Sequence, residues 1–157
     1  MKIVMLTIGR TRTPYLAEGI DVYMRRAGHY LPVEICELPD VKTTRALTEE
    51  RQKQMEGEKI LEFVQTGDAL VLMDERGREY TSREFADVLS RRMAYGLKRL
   101  VLTIGGPYGF SSEVYARADG KISLSKMTLP HEMARLMLAE QIYRAMTILR
   151  GEPYHHD

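Results

Sequence analysis

The run Gly-Gly-Pro-Tyr-Gly at positions 105–109 is the first segment whose residue types could serve chemistry. It follows the apolar run 99–104, and a strand that ends in a glycine pair lets a ligand approach the backbone closely. The run is not a phosphate loop, because no Gly-Lys-Ser/Thr follows, and Pro107 stands where a dinucleotide fingerprint needs a helix-opening amide. A tight turn without a ligand is the alternative for this segment alone.

A second candidate segment, 124–132, joins the last predicted strand to the last predicted helix. Its sequence Leu-Ser-Lys-Met-Thr-Leu-Pro-His-Glu alternates apolar and small polar residues, which suits a wall whose backbone groups meet a flat ring. An ordinary strand-to-helix connection is the alternative. His131 could act as a base, although a histidine in the first turn of a helix is more often structural.

The C-terminal tail 151–157 carries a third set of candidates, although chain ends are usually frayed. Tyr154 beside His155 could stack on a base and handle a proton. Arg144 interrupts the apolar surface of the last predicted helix. We therefore expect His155 to be a proton acceptor, Tyr154 a stacking or orienting group, and Arg144 an anchor for a phosphate or base. Adjacent histidines also suggest a metal, but no carboxylate or cysteine cluster accompanies them, so no metal is predicted.

Composition limits the class of protein. The 157 residues suffice for one domain, and the single cysteine, Cys36, excludes an intrachain disulfide and the paired-cysteine zinc patterns. A net charge of +1, from 23 basic and 22 acidic residues, argues mildly against RNA binding through a basic surface. No apolar stretch is long enough to span a membrane, and the apolar run 3–8 is too short for a secretory signal. A cytoplasmic protein is expected.

Short apolar runs alternate with amphipathic segments along the chain. Strands are predicted at 2–8, 33–38, 68–74, 99–104 and 122–125, and a turn at 75–78. Helices are predicted at 12–27, 45–65, 112–116 and 130–149. A further helix is predicted after residue 81, where Thr81 and Glu84 form a capping box. This alternation predicts an α/β fold with a mostly parallel sheet, in which ligands bind at the carboxyl ends of strands. Three such ends stand out: 73–74, 105–106 and 124–125.

The last predicted helix is apolar around most of its circumference, so it needs burial on more than one side. A terminal helix in a chain of this length usually lies on the surface. A second subunit is therefore the natural cover, and two-fold dimers are the commonest solution. A purely intrachain core is the alternative.

Taken together, these segments resemble the ribosomal RNA large subunit methyltransferase H family, among the smallest of the SPOUT-class methyltransferases. The resemblance covers the chain from Met1 to the Tyr-His end. Its most specific blocks are Ile-Gly-Gly at 104–106, Leu-Ser-Lys-Met-Thr-Leu-Pro-His at 124–131, Glu-Gln-Ile-Tyr-Arg-Ala at 140–145 and Pro-Tyr-His at 153–155. Ordered blocks along the entire length are a far stronger signal than one glycine motif.

The resemblance implies a single SPOUT domain over 1–157, with a deep C-terminal trefoil knot and the cofactor pocket at roughly 70–157. It also implies a homodimer. The implied reaction is S-adenosyl-L-methionine-dependent methylation of N3 of a pseudouridine in 23S ribosomal RNA, within the large subunit or the 70S ribosome. The implied cofactor contacts are Met73, Gly105, Leu124, Ser125, Lys126, Met127, Thr128 and Leu129. Family members often have leucine in place of Met73, and an apolar contact survives that change.

Two other functions fit the sequence. A methyltransferase of the same fold could act on another RNA such as transfer RNA, although no additional RNA-binding domain is present. A non-catalytic ribosome-binding factor could use the glycine turn only structurally. A flavodoxin-like nucleotide-binding protein is disfavoured by the missing phosphate loop.

Overall fold

Strands and helices alternate along the whole chain, and the computed structural model describes all residues, 1–157. Five strands and five helices follow one another in the order β1 (Lys2–Ile8), α1 (Pro14–Ala27), β2 (Val33–Leu38), α2 (Glu49–Phe63), β3 (Ala69–Glu79), α3 (Ser82–Ala94), β4 (Arg99–Ile104), α4 (Ser112–Arg117), β5 (Gly120–Ser123) and α5 (His131–Arg150).

The strands form one sheet in the order β2-β1-β4-β3-β5, and every neighbouring pair is parallel. The central strands β1 and β4 are apolar at almost every position, because helices cover both faces of a parallel sheet. The prediction of an α/β fold with a parallel sheet is confirmed. The trefoil knot and the single-domain boundary stay predictions.

Two hydrophobic cores lie on opposite faces of the sheet. Alternate strand residues such as Ile3 and Leu102 pack with α1, α3 and α5 on one face. Their neighbours, such as Val4 and Val101, pack with α2 and α4 on the other face. The period of two along each strand therefore produces a three-layer arrangement with the sheet in the middle. No helix is long and apolar enough to cross a membrane.

The start of α3 confirms the predicted capping box. The Thr81 hydroxyl accepts a hydrogen bond from the Glu84 N–H at 3.1 Å, and the Glu84 carboxylate accepts one from the Thr81 N–H at 2.7 Å.

Thr81→Ala removes an acceptor for a free N–H of the first helical turn. We expect this change to lower the free energy of unfolding by about 1 kcal/mol, measured by urea denaturation. Thr44→Ala, in the exposed connection before α2, should change it far less.

The predicted turn at 75–78 is wrong, because β3 continues through these residues to Glu79. The pairing of β3 with β5 shifts register between Met73 and Arg78, and this irregularity inserts the polar residues into the strand. Gly77 makes the shift possible. A Cβ at this position would lie 2.6 Å from the Ile122 backbone nitrogen and 2.7 Å from two backbone carbonyl carbons of β5. The segment is predicted as a turn because its residues are polar and include a glycine, which is unusual inside a strand.

Smaller boundary differences follow from capping. The helix predicted at 45–65 begins at Glu49, because the Thr48 side chain accepts a hydrogen bond from the Arg51 N–H and fixes the first turn. Pro130 is the N-cap of α5 rather than its first helical residue. The same helix ends at Gly151, whose φ of 69° places it in the left-handed region that favours glycine.

Candidate functional site

The three predicted strand ends meet at one edge of the sheet and form a cleft of about 560 Å³. Met73 of β3 is in register with Ile104 of β4 and Ile122 of β5, so the segments that follow β4 and β5 leave the sheet side by side. The glycine segment 105–109 forms one wall, and the segment after β5 forms another. The position agrees with the rule that ligands bind at the carboxyl ends of parallel strands.

Seven of the eight residues predicted to contact a cofactor line this cleft. They are Met73, Gly105, Leu124, Ser125, Met127, Thr128 and Leu129. Lys126 does not line it, since its side chain is 85% exposed and reaches toward Glu79 at 3.9 Å. The structure thus brings the predicted residues together from three separate segments.

Local hydrogen bonds give the two walls their shape. The Ser123 hydroxyl donates to the Ser125 carbonyl at 3.0 Å, and the Met127 N–H donates to the Ser125 hydroxyl oxygen at 2.9 Å. In the glycine wall, the Gly109 N–H donates to the Gly106 carbonyl at 3.2 Å, and Gly109 has a φ of 81°. These bonds fix the local conformation of both segments.

The cleft contains polar side chains that sequence reasoning missed. Lys53 comes from α2, and Asp74 accepts a hydrogen bond from the Tyr115 hydroxyl of α4. Burial, followed by the hydrogen bond to Asp74, raises the pKa of Tyr115 to about 12. These residues lie far apart in the sequence and form no motif. Only the position of Asp74 at a strand end gave a signal.

The N-terminal turn of α5 is joined to the connection between β1 and α1. The Glu132 carboxylate accepts hydrogen bonds from the Thr13 N–H and hydroxyl, both at 3.0 Å, and from the Arg12 N–H. Hydrogen bonds from these backbone amides lower the pKa of Glu132. Thr13, the N-cap residue of α1, makes no capping bond with its own side chain, and Glu132 fixes it and the preceding Arg12 through their amides.

Arg135 strengthens this junction. The side chain is 4% exposed, and it donates to the Ile8 carbonyl at 2.8 Å and to the Thr11 hydroxyl at 3.0 Å. His131 precedes it by one turn and lines the cleft. Loss of hydration, together with the positive charge of Arg135, lowers the pKa of His131. Both effects favour the neutral form of His131.

The C-terminal tail is docked on α5 rather than frayed. The Tyr154 hydroxyl donates to a Glu140 carboxylate oxygen at 2.8 Å, and the same oxygen accepts from Arg144 at 2.6 and 2.9 Å. The Tyr154 ring lies 4.6 Å from the Tyr143 ring, measured between centroids. Burial and the bond to Glu140 raise the pKa of Tyr154. The three predicted catalytic residues therefore belong to one cluster around Glu140.

His155 completes this cluster. Its side chain is 14% exposed, and its Nδ1 lies 3.2 Å from Nη1 of Arg144. Because a guanidinium group has only donors, Nδ1 must be the acceptor of this bond. The cluster does not reach the cleft within one chain. Ala134 lines the cleft, and Arg144 lies ten residues further along α5, a distance of about 15 Å along the helix axis.

The last helix is partly buried within its own chain, and the homodimer stays a prediction. Seven of its residues are buried, among them Leu138, Ile142 and Ala145. Apolar side chains remain at the surface of α5, with Met133 46% exposed and Leu149 37% exposed. The chain contains no group of three or more His, Cys, Asp or Glu side chains that could hold a metal ion.

Comparison with known sequences gives matches over the whole chain. The family described as predicted SPOUT methyltransferase matches residues 1–155. A protein of Parabacteroides distasonis named ribosomal RNA large subunit methyltransferase H is 53% identical over 157 residues and is covered completely, as is this chain. A protein of the same name from Christiangramia forsetii is 52% identical over 156 residues, which cover 99% of each chain.

Solved structures agree at the level of the fold. A probable methylase family protein from Haemophilus influenzae superposes with a TM-score of 0.52 at 13% identity, covering 99% of this chain and 70% of that one. A putative methylase family protein from Neisseria gonorrhoeae superposes with a TM-score of 0.51 at 13% identity, covering 99% of this chain and 85% of that one. The resemblance drawn from the sequence blocks is confirmed. The chain belongs to the SPOUT methyltransferase family, among the relatives named ribosomal RNA large subunit methyltransferase H.

Proposed function

We propose that this protein transfers a methyl group from S-adenosyl-L-methionine to N3 of a pseudouridine in 23S ribosomal RNA. The observation that carries the proposal is the cleft formed by three strand ends, in a chain that matches a ribosomal RNA large subunit methyltransferase H over its full length at 53% identity. The proposed enzyme is a single domain over 1–157, knotted and carrying its cofactor pocket at roughly 70–157.

The residues of the cleft fit this cofactor. A volume of about 560 Å³ lies within the usual range for small-molecule sites. Met73, Leu124 and Leu129 line the cleft and offer apolar surface to an adenine ring, and backbone groups of 124–129 would bond its edge. The cofactor supplies an activated methyl group, and the task of the chain is to align it with the acceptor. No metal is proposed.

The acceptor N3 of pseudouridine carries a proton that must leave, so a base is required near the cleft. We assign this role to His155, with Tyr154 as stacking or orienting group and Arg144 as anchor. His155 accepts a proton at Nδ1 only when Arg144 releases that atom. A phosphate or an electron-rich base edge attracts the guanidinium and would free the imidazole.

A homodimer would allow the tail cluster to act at a cleft, although the two are far apart within one chain. In one chain the two lie about 15 Å apart along α5, too far for direct proton transfer. A two-fold arrangement would place the tail of one protomer at the cleft of its partner. The exposed Met133 and Leu149 of α5 offer apolar surface for such an association.

The RNA substrate is expected to be presented by the ribosome. A net charge of +1 supplies little general affinity for a phosphate backbone. The target base must also be unstacked before it can enter the cleft. Assembled large subunits or 70S ribosomes are therefore expected to be methylated well and short naked hairpins poorly. An enzyme that acts on ribosomes is expected in the cytoplasm.

Ser125→Ala tests the wall that follows β5. The change removes the acceptor of the Met127 N–H and loosens the segment that would hold the cofactor. One lost hydrogen bond of about 1 kcal/mol corresponds to a roughly fivefold weaker affinity for S-adenosyl-L-methionine, measured by calorimetry. Ser112→Ala on α4 is the matched control, because its hydroxyl bonds only the neighbouring Glu113. Equal affinities for both variants would contradict this role of Ser125.

Mass spectrometry of ribosomal RNA from a strain lacking the protein tests the function directly. We expect one methyl group to disappear from a 23S pseudouridine and to return on complementation. A methyl group lost from transfer RNA instead would favour the alternative substrate. An unchanged RNA, together with no binding of S-adenosyl-L-methionine, would favour the non-catalytic ribosome-binding factor.

A further inference from the structure

Glu56 is a buried carboxyl group without a partner, and the proposed reaction gives it no role. The residue lies in α2 and is 3% exposed, and its Oε1 has no hydrogen-bond partner. Burial of a carboxylate without compensating donors is costly, and proteins tolerate it mainly at functional positions. The surroundings of this group therefore need an explanation.

The carboxyl group lies directly against the glycine wall of the cleft. A Cβ built on Gly106 would overlap both carboxyl oxygens of Glu56. The Glu56 side chain therefore occupies the space that any side chain at position 106 would need. Lys53, one helical turn earlier on α2, reaches the cleft itself. The Glu56 carboxyl thus lies next to Gly106, which itself lines the cleft.

The backbone of α2 is closely packed next to Glu56. A Cβ at the following residue, Gly57, would overlap the side chain of Ser111, the N-cap residue of α4, and would lie 3.2 Å from a methyl group of Val114. The carboxyl of Glu56 lies against Gly106, so a change in its charge is expected to act on the glycine segment 105–109.

The charges around Glu56 favour its neutral form in the free protein. Desolvation, followed by the negative charge of Asp40, raises the pKa of Glu56 to about 7. The nearby cations are engaged elsewhere. Lys53 pairs with Glu50 at 3.0 Å, Lys59 donates to the Pro39 carbonyl at 3.0 Å, and Arg117 of α4 pairs with Asp119 at 2.9 Å. Segment 105–109 contributes no charged side chain.

We propose that Glu56 is a positioning residue that couples occupation of the cleft to a proton. In the free protein its carboxyl is largely neutral below about pH 7, and it ionises when a ligand with a sulfonium and an ammonium group lies on the other side of the glycine segment. The O–H bond breaks and the proton passes to the solvent. The new carboxylate then draws the backbone N–H groups of the segment toward itself and fixes the wall. This inference rests on the proposed cofactor.

Calorimetric titration with S-adenosyl-L-methionine at several pH values tests the coupling. We expect the affinity of the unaltered protein to rise roughly tenfold from about pH 6 to about pH 8, with about half a proton released near pH 7. Glu56→Gln keeps the shape of the neutral side chain and should bind with an affinity that changes less than about twofold over that range. S-adenosyl-L-homocysteine lacks the sulfonium charge and should show a smaller pH dependence with the unaltered protein.

His131 also titrates in the cleft, so His131→Asn is the control. Because the pKa of His131 is lowered, its contribution falls at lower pH, and the affinity change between about pH 6 and about pH 8 must persist in His131→Asn. The same pH profile for the unaltered protein and Glu56→Gln would overturn the inference. No binding at any pH by either protein would instead count against the proposed cofactor.

A second measurement requires no ligand. The amide signals of Gly105, Gly106 and Gly109 should shift with pH in heteronuclear NMR spectra, with a midpoint near the pKa of Glu56, about 7. These shifts should be absent in Glu56→Gln. If the glycine amide signals of the unaltered protein do not shift with pH, the positioning role is overturned, whatever the protein binds.

The thermal stability should report the same group. The folded protein holds the Glu56 proton more tightly than the unfolded chain, so this stabilisation is complete below the unfolded pKa, near 4.5, and is lost as the pH rises to about 7. Glu56→Gln should therefore raise the melting temperature, relative to the unaltered protein, more at about pH 8 than at about pH 4. An equal difference at both pH values would contradict an elevated pKa.

Discussion

Replacing Gly77 with alanine should lower the free energy of unfolding by about 3 kcal/mol or more, because the added methyl group meets backbone rather than side chains. The nearest atoms would be the Ile122 nitrogen at 2.6 Å and backbone carbons of Lys121 and Ile122 at 2.7 Å. A flexible side chain could yield to such an overlap. Here β3 and β5 would have to separate, and urea denaturation should show the loss as a lower midpoint.

The same substitution should also damage the cleft. The strand β5 leads directly into Ser123 and Leu124, which line the cleft, so displacement of β5 moves the wall proposed to hold the cofactor. Gly120→Ala is a matched control in the same strand pair. Its Cβ would find no atom closer than 3.9 Å. If both variants lost the same stability, the close approach at Gly77 would not be the cause.

Replacing His155 with alanine should reduce the rate of methyl transfer on ribosomes by about 10²- to 10⁴-fold, the usual contribution of a general base. Affinity for S-adenosyl-L-methionine should stay nearly unchanged, because His155 does not line the cleft. Single-turnover kinetics with a labelled methyl group measure the rate. His156→Ala is the matched control, since this neighbouring histidine is exposed and makes no hydrogen bond with the Glu140 cluster.

Mixed dimers distinguish a base that serves its own chain from one that serves the partner. A chain carrying His155→Ala would be combined with a chain carrying Gly106→Ala, whose added Cβ would overlap the Glu56 carboxyl oxygens at the wall of the cleft, once that variant alone has been shown to be inactive. If the tail acts across the interface, the mixture regains activity through one intact composite site. If the tail acts within its own chain, the mixture stays as slow as its parents. Full activity of His155→Ala alone would remove His155 from the reaction.

Patterns of local origin allowed most of the architecture to be predicted from sequence. Apolar runs bounded by glycine or proline marked β1, β2 and β4 at their observed limits. The capping box of Thr81 and Glu84 marked α3. The strand ends then indicated the cleft, because parallel strands bring their carboxyl ends to one edge. Each of these signals lies within one short segment.

Features that depend on distant residues could not be predicted in this way. The polar half of β3 is a strand only because β5 pairs with it through a shifted register. Glu56 lies in the helix predicted at 45–65, and its burial beside Gly106, fifty residues later, has no local signal. Chain ends usually fray, and the contacts of the tail with Glu140 and Tyr143 could not be predicted from its own residues.

The hydrogen bonds from Arg12 and Thr13 to Glu132 have a consequence for biosynthesis. Glu132 is translated about 120 positions later than Thr13, so in a nascent chain the two amides just before α1 lack this acceptor until synthesis is nearly complete. Chains that terminate early lack both this carboxylate and Arg135, and they should be recognised by proteases as incomplete. The side chain of Glu132 thereby makes the final structure of the N-terminal segment depend on complete synthesis of the chain.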